Sequence, residues 1–149
     1  MDDLTAEQRH KNMSNIHSSN TKPEEIVRKY LFQKGFRYRK NDKRYPGKPD
    51  IVLPKYRVVI FVHGCFWHQH KDCRYAVLPK SNPDYWLPKL TRNMERDDKS
   101  INALQELGWR VIIVWECALK PKQRSSCLEQ LPRIIQEQQL PFIEIQAQT

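Results

Sequence analysis

Two continuous apolar runs constrain the fold of this 149-residue chain more than any other feature. They occupy positions 58–62 and 111–115. An uninterrupted apolar run is typical of a strand buried in the centre of a sheet. The residues from about 84 to 107 predict a helix that Gly108 ends. A helix that leads into a buried strand indicates a parallel crossover, as in α/β proteins.

The first apolar run also belongs to a predicted hairpin. A turn-rich segment at 45–50 leads into β-rich runs at 51–53 and 57–62, which are separated by residues 54–56. Antiparallel pairing in this hairpin and parallel pairing after the crossover predict a mixed central sheet flanked by helices.

The other segments complete one expected domain over residues 1–149. Thr21 and Glu24 have the spacing of a capping box, and Gly35 is suited to end the helix that follows. Pro132 weakens a helix expected within the C-terminal segment. The remaining elements are a thin helix at 5–16 in the N-terminal segment 1–20, and a helix near 128–135 and an edge strand at 141–145 in the C-terminal segment 120–149.

The charge of the chain indicates a polyanionic partner. Lys and Arg number 26 against 17 Asp and Glu, so the net charge is +9, and 12 of the 26 basic residues lie within 1–48. Nucleic acid is the commonest partner of such a surface. No apolar run approaches the ~18 residues needed to cross a bilayer, and the first residues lack a secretory signal. We therefore expect a cytoplasmic protein that does not enter a membrane.

A long segment after the hairpin, residues 63–83, is rich in histidine, cysteine and aromatic residues. A loop of this length needs a staple or a function. In a reducing compartment, thiolates and imidazoles are the ligands that structural zinc prefers. Cys127 is an alternative fourth ligand, and buried reduced cysteines are the alternative to any metal. The ligand set predicted for zinc is Cys65, His70, Cys73 and Cys117.

A second chemical signal is Asp50, which follows Pro49 at the start of the first hairpin strand. A carboxylate there can hold a divalent cation beside a phosphodiester, while a nearby imidazole moves protons. Each residue also has an ordinary structural explanation, such as capping a turn or a helix, or a solvated charge. The side chains expected near Asp50 are Glu24, Glu95, Asp97, His63 and His68.

Aromatic residues form the third signal. Phe66 and Trp67 lie inside the loop, and Trp86 follows it, where burial is hard to arrange. Apolar wedges of this kind enter the base stack of a distorted duplex. Trp109 and Trp115 flank a buried strand and are expected in the core.

These residues together resemble the very-short-patch mismatch repair (Vsr) endonucleases. The resemblance spans residues 11–119, and its most specific parts are the Gly-Cys-Phe-Trp-His block at 64–68 and the later Trp-Glu-Cys at 115–117. The other matching stretches are 11–13, 46–50, 59–63, 93–97, 107–110 and 118–119.

The resemblance implies a restriction-endonuclease-like core with a zinc-stapled loop. It implies an enzyme that nicks DNA 5′ to the thymine of a T·G mismatch, a lesion left by deamination of 5-methylcytosine, and so initiates very-short-patch repair. Asp50 and the backbone carbonyl of Val62 correspond to Mg²⁺ contacts. His68 and Asp97 correspond to the groups that handle the proton and orient water, with Glu24 and His63 supporting the hydrated metals. The structural zinc ligands would be Cys65, His70, Cys73 and Cys117.

The resemblance also extends to partners. Phe66, Trp67 and Trp86 correspond to the wedge beside the mismatch, while Met13 and Ile16 would lie in the opposite groove. It implies a monomer on double-stranded DNA, with functional links to a cytosine-5 methyltransferase and to mismatch-repair proteins.

One departure distinguishes this chain from ordinary restriction nucleases. Their Pro-Asp is followed across the hairpin by an acidic residue, any residue and lysine, whereas this chain has Phe61, Val62 and His63. A double-strand restriction enzyme is therefore disfavoured. The alternatives are a site-specific restriction endonuclease and a zinc-stapled DNA-binding module without catalysis.

Overall fold

A computed structural model describes residues 21–137 and 139–148. The predicted helix at 5–16, and with it Met13 and Ile16, lies outside the described residues. The helices are α1 (Lys22–Gln33), α2 (Pro83–Glu106), α3 (Arg124–Leu128) and α4 (Gln130–Glu137). The strands are β1 (Arg39–Lys40), β2 (Ile51–Leu53), β3 (Val58–His63), β4 (Arg110–Trp115) and β5 (Phe142–Ile145).

The five strands form one mixed sheet in the order β1-β2-β3-β4-β5. The antiparallel hairpin of β2 and β3 and the parallel crossover from β3 to β4 are both confirmed. The expected edge strand is β5, which pairs parallel with β4. Strand β1 was not anticipated, because its two exposed residues carry no apolar pattern and pair with β2 only through the backbone.

Alternate residues of the central strands face two separate cores. Val58, Ile60 and Val62 of β3 pack on one side with Val27 and Leu31 of α1 and with α3 and α4. Val59 and Phe61 pack on the other side with Leu104 of α2. Helices on both faces of a mixed sheet confirm the predicted α/β class.

The ends of the helices follow local sequence signals. The capping box of α1 is present, and the Thr21 amide donates to Glu24 Oε2 at 3.0 Å. Two short helices replace the single C-terminal helix expected. This division agrees with the expected weakening by Pro132: α3 ends at Leu128, and Pro132, which has no amide to bond the Leu128 carbonyl, lies in the first turn of a new helix, α4. Within the described residues, no helix has the length and apolar character needed to cross a membrane.

Candidate active site and metal centre

One end of the hairpin brings the first site residues together. Because β2 and β3 run antiparallel, the residue before β2 lies beside the end of β3. The Val62 amide donates to Asp50 Oδ2 at 2.6 Å. This bond holds the carboxylate at the sheet end, with the Val62 backbone beside it.

A cavity of about 260 Å³ opens at this end of the sheet. Its walls come from the first turn of α1, the ends of β2 and β3, the loop after β3, and the middle of α2. Glu95 is exposed and does not line the cavity. The predicted residues that line it are Glu24, Asp50, Val62, His63, His68 and Asp97.

Two carboxylates interact in this cavity. Burial raises the pKa of Asp50 well above its usual range, and a hydrogen bond with Glu24 and its negative charge act in the same direction. The Val62 amide and Arg28 oppose this rise, and Arg28 Nη1 lies 3.6 Å from Glu24 Oε2. Once both are ionised, these two carboxyl groups and the backbone carbonyl beside them form an oxygen donor set. Hard divalent cations such as Mg²⁺ favour such ligands, so the residues fit the metal that the resemblance implies.

The opposite wall carries a histidine–aspartate pair. His68 Nδ1–H donates to Asp97 Oδ2 at 2.6 Å. With the Nδ1 proton so engaged, Nε2 of His68 carries the free lone pair and can accept a proton. The ring of His63 stacks on that of His68 at 3.7 Å with an interplanar angle of 3°.

The stacked partner, His63, is a neutral residue. Burial lowers the pKa of His63 well below its usual range, and proximity to His68 adds to this effect. Phe61 and Trp115 also contact its ring, at centroid distances of 5.6 and 5.2 Å. His63 is thus fixed by aromatic rings and supports His68 without adding a charge.

Gly47 holds the turn before Asp50 against α2. Its φ is +74°, and a Cβ at this position would lie 2.7 Å from Ser100 Cβ. Any other residue would push the turn away from the helix. The close approach sets the distance between the Asp50 wall and the wall formed by α2.

The cysteine and histidine cluster lies at the same end of the sheet. The ligand atoms of Cys65, His70, Cys73 and Cys117 all lie within 4.8 Å of one another. Cys117 occupies a short 3-10 turn that follows β4 directly. Three thiols and one imidazole at this separation match a closed tetrahedral zinc site.

Bonds around the cluster orient its ligands. His70 Nε2–H donates to Gln146 Oε1 at 2.6 Å, which leaves Nδ1 for a metal. The amides of Cys117 and Ala147 donate to the sulfurs of Cys65 and Cys117 at 3.3 and 3.4 Å. Burial raises the pKa of the Cys65 thiol, and these amide donors and a bound cation would both favour the thiolate. Gln146 was not anticipated, although its place after β5, beside β4, could have indicated it.

Cys127 does not belong to this cluster. Its thiol is buried and lies 3.8 Å from the carbonyl oxygen of Gln146. The alternative that placed Cys127 as the fourth ligand is therefore wrong, because α3 carries this residue into the core on the other face of the sheet.

The predicted aromatic wedge is a packed cluster. Phe66, Trp67 and Trp86 lie with centroids 5.1 to 5.9 Å apart and pack with Leu90. The expectation that these rings are exposed is wrong for Trp67 and Trp86, which are buried, because the first turns of α2 cover the loop. Phe66 is half-buried. Trp115 is in the core, as expected, whereas Trp109 is half-buried at its margin.

A basic groove of about 960 Å³ adjoins the cavity. It shares Lys48, Trp67, His68 and Asp97 with the cavity wall. Its other walls carry basic side chains from one face of α2. The basic residues that line the groove are Lys48, Lys89, Arg92 and Arg96.

Comparison with known proteins relates this geometry to one family. The family model described as DNA mismatch endonuclease Vsr matches residues 1–75. The type II nicking enzyme V.NmeAIP of Neisseria meningitidis is 58% identical over 125 residues, which cover 84% of this chain and 87% of that protein. V.XorIIP of Xanthomonas oryzae is 50% identical over a stretch that covers 79% of this chain and 86% of that protein. The DNA mismatch endonuclease Vsr of Escherichia coli is 46% identical over a stretch that covers 78% of this chain and 74% of that protein.

Proposed function

Because the chain belongs to the Vsr family and is a DNA endonuclease, we propose that it nicks one strand of mismatched DNA in a Mg²⁺-dependent reaction. The cut falls 5′ to the thymine of a T·G mismatch left by deamination of 5-methylcytosine, and it initiates very-short-patch repair. The observation that carries this proposal is the cavity in which Asp50 faces the pair of His68 and Asp97.

Asp50 and the backbone carbonyl of Val62 would hold Mg²⁺. Glu24 and His63 would form hydrogen bonds with the waters bound to this ion. When bound, this ion neutralises phosphate charge and lowers the pKa of a coordinated water. The mutual repulsion of Asp50 and Glu24 favours such a cation.

His68 would act as the general base of the reaction. Its Nε2 accepts a proton from the attacking water, and Asp97 stabilises the imidazolium that forms. The neutral ring of His63 holds the plane of His68 during this transfer.

The basic groove would carry the DNA backbone. Lys89, Arg92 and Arg96 follow one face of α2 toward the cavity and can pair with consecutive phosphates. Phe66, with Trp67 and Trp86 beneath it, would press against the distorted base step. The rigid aromatic packing supports a wedge that is in place before DNA arrives.

The Cys/His cluster would hold Zn²⁺ as a structural ion. We further propose that the enzyme acts as a monomer, with functional links to a cytosine-5 methyltransferase and to mismatch-repair proteins. Several relatives are named type II nicking enzymes, and one is named a DNA mismatch endonuclease.

A strand-resolved cleavage assay tests this function. Matched and T·G duplexes in several sequence contexts are incubated with and without Mg²⁺, with each strand labelled separately. We expect a nick only in the thymine strand and only with the metal. Tight binding without cleavage would instead indicate a zinc-stapled binding module, and breaks in both strands of paired DNA would indicate a restriction enzyme.

A further inference from the structure

A second cleft, of about 420 Å³, shares His63, His68 and Asp97 with the cavity that contains Asp50. Its other walls come from the loop of the Cys/His cluster, α2 and β5. Asp72, Asp98 and Glu144 line it, and among the described residues Lys71 is the one lysine or arginine that does so. This local excess of carboxylates, in a chain of net charge +9, concentrates cations at the cleft.

The shared residues form a ligand set of their own. One ligand atom from each of His63, His68 and Asp97 lies within 4.8 Å of the others. Two imidazoles and one carboxylate suit borderline divalent ions such as Zn²⁺, Co²⁺ and Ni²⁺ better than Mg²⁺, which prefers oxygen ligands. The set therefore differs in selectivity from the one around Asp50.

Trp115 forms a wall of the cleft beside these ligands. It lines the cleft, its ring stacks on His70 at 4.0 Å, and its edge meets His63. Its Nε1 is buried and has no hydrogen-bond partner among the described residues. Packing against Trp115 fixes the ring of His63 beside the cleft, so His68 is the ligand that can turn.

We propose that His63, His68 and Asp97 bind a borderline divalent transition-metal ion that enters through this acidic cleft and inhibits nicking. The two rings now lie parallel, so the half-exposed His68 must turn before both lone pairs meet at one ion. The ion takes Nδ1 of His68 and replaces its hydrogen bond to Asp97. The ring proton then resides on Nε2, and this tautomer accepts no proton from water.

Spectroscopic titration tests the site without reference to catalysis. Protein with zinc in the Cys/His cluster is titrated with Co²⁺ alone, in the absence of DNA and Mg²⁺. In Asp50→Asn protein, which lacks the oxygen-ligand site, we expect one further equivalent, with weak visible bands and no thiolate charge-transfer band, because the site contains no sulfur. Asp97→Asn should weaken this binding by at least about tenfold, since loss of an outer partner alone costs about 10–100-fold. The control Glu137→Gln, which removes an exposed carboxylate on α4, should not change it.

The inhibitory role rests on the proposed nicking activity and has a separate readout. At fixed Mg²⁺, added Co²⁺ should slow nicking. The Co²⁺ concentration that halves the nicking rate should match the midpoint of the spectroscopic titration. Entry through the cleft predicts that higher DNA concentration does not relieve the inhibition, and that Glu144→Gln weakens it. Absence of the extra equivalent, or equal binding by Asp97→Asn, would overturn the site even if the enzyme nicks as proposed. Binding without slower nicking would overturn the inhibitory role.

Discussion

His70 and Gln146 are joined across 76 positions of sequence by a bond of 2.6 Å between Nε2 and Oε1. The bond ties the loop after β3 to the residue that follows β5. It directs the other ring nitrogen of His70 toward Cys117, whose sulfur lies 3.6 Å away. The end of the described chain thereby orients a ligand of the metal centre.

Gln146→Leu should weaken zinc binding by about 10–100-fold, because His70 loses the partner that fixes its ring and tautomer. Competition with a chromogenic chelator measures this affinity. Gln136→Leu, an exposed glutamine on α4, is the matched control and should retain the wild-type affinity. Equal affinities for all three proteins would show that Gln146 does not orient the ligand.

Cys117→Ala should release zinc and lower the melting temperature, because binding of a structural metal contributes directly to folding. Elemental analysis and circular dichroism measure the two effects. Cys127→Ala changes an equally buried thiol outside the cluster and should retain one zinc per chain. Isolation of wild-type protein that is stable and free of zinc would contradict the assignment.

Asp50→Asn should abolish nicking by several orders of magnitude while mismatch binding persists. It should also stabilise the Mg²⁺-free protein at neutral pH, because it replaces a carboxyl group whose ionisation is disfavoured by burial and by the neighbouring Glu24. The pKa of Asp50 is higher in the folded state than in the unfolded state. The stability that protonated Asp50 contributes is therefore complete below the unfolded pKa of about 4 and is lost as pH rises toward the folded pKa.

Thermal unfolding without Mg²⁺ at several pH values measures this effect of Asp50. The wild type should lose stability with rising pH more steeply than Asp50→Asn. In Asp42→Asn the dependence above pH ~4 should match the wild type, because Arg44 lowers the pKa of Asp42 to about 2 and the group stays charged throughout. A variant at position 50 that nicks at the wild-type rate would refute the metal assignment.

Trp67→Ala should weaken binding to a T·G duplex by about 1–3 kcal/mol more than binding to paired DNA, the range for loss of one base stacked on an aromatic ring, because Phe66 loses the ring that supports it. Fluorescence anisotropy with both duplexes measures the difference. The substitution also costs folding stability, since Trp67 is buried, so binding is measured well below the melting temperature. Trp109→Ala, at the core margin, is the control. Equal losses on both duplexes would show that Trp67 only packs.

Arg92→Ala should reduce the slope of log K against log salt by about 0.9, the value for one phosphate contact. The loss should be similar on matched and mismatched duplexes, because backbone contacts carry no sequence information. Lys122→Ala removes an exposed charge outside the groove and should leave the slope unchanged. An unaltered slope for Arg92→Ala would remove α2 from the DNA path.

Site residues whose positions follow from the strand pattern could be predicted from the sequence. Asp50 precedes the first strand of the hairpin and His63 ends the second. Antiparallel pairing of β2 and β3 is enough to bring them to the same end of the hairpin. Asp97 was expected near Asp50 together with Glu95, and which of the two lines the cavity depends on how α2 crosses the sheet. The pairing of β2 with β3 and of β3 with β4 likewise followed from one hairpin and one crossover, whereas β1 was not anticipated.

Other features depend on packing that local sequence does not encode. Trp67 looked exposed because it lies in a long loop between metal-binding residue types, and Trp86 because it follows that loop, yet the two rings pack against each other. Gln146 carries no motif and acquires its role from the pairing of β5 with β4. Both cases involve contacts between segments distant in sequence, where side-chain type alone is uninformative.

The capping box of α1 has a practical consequence for redesign. Glutamine completes such a box about as well as glutamate, so a stability-minded engineer would treat Glu24→Gln as a neutral surface exchange at a helix start. In this protein the same carboxylate faces Asp50, and the exchange would preserve the helix while removing one of the two carboxyl groups that line the cavity. A measurement of folding stability alone would therefore miss the loss of this carboxylate from the cavity.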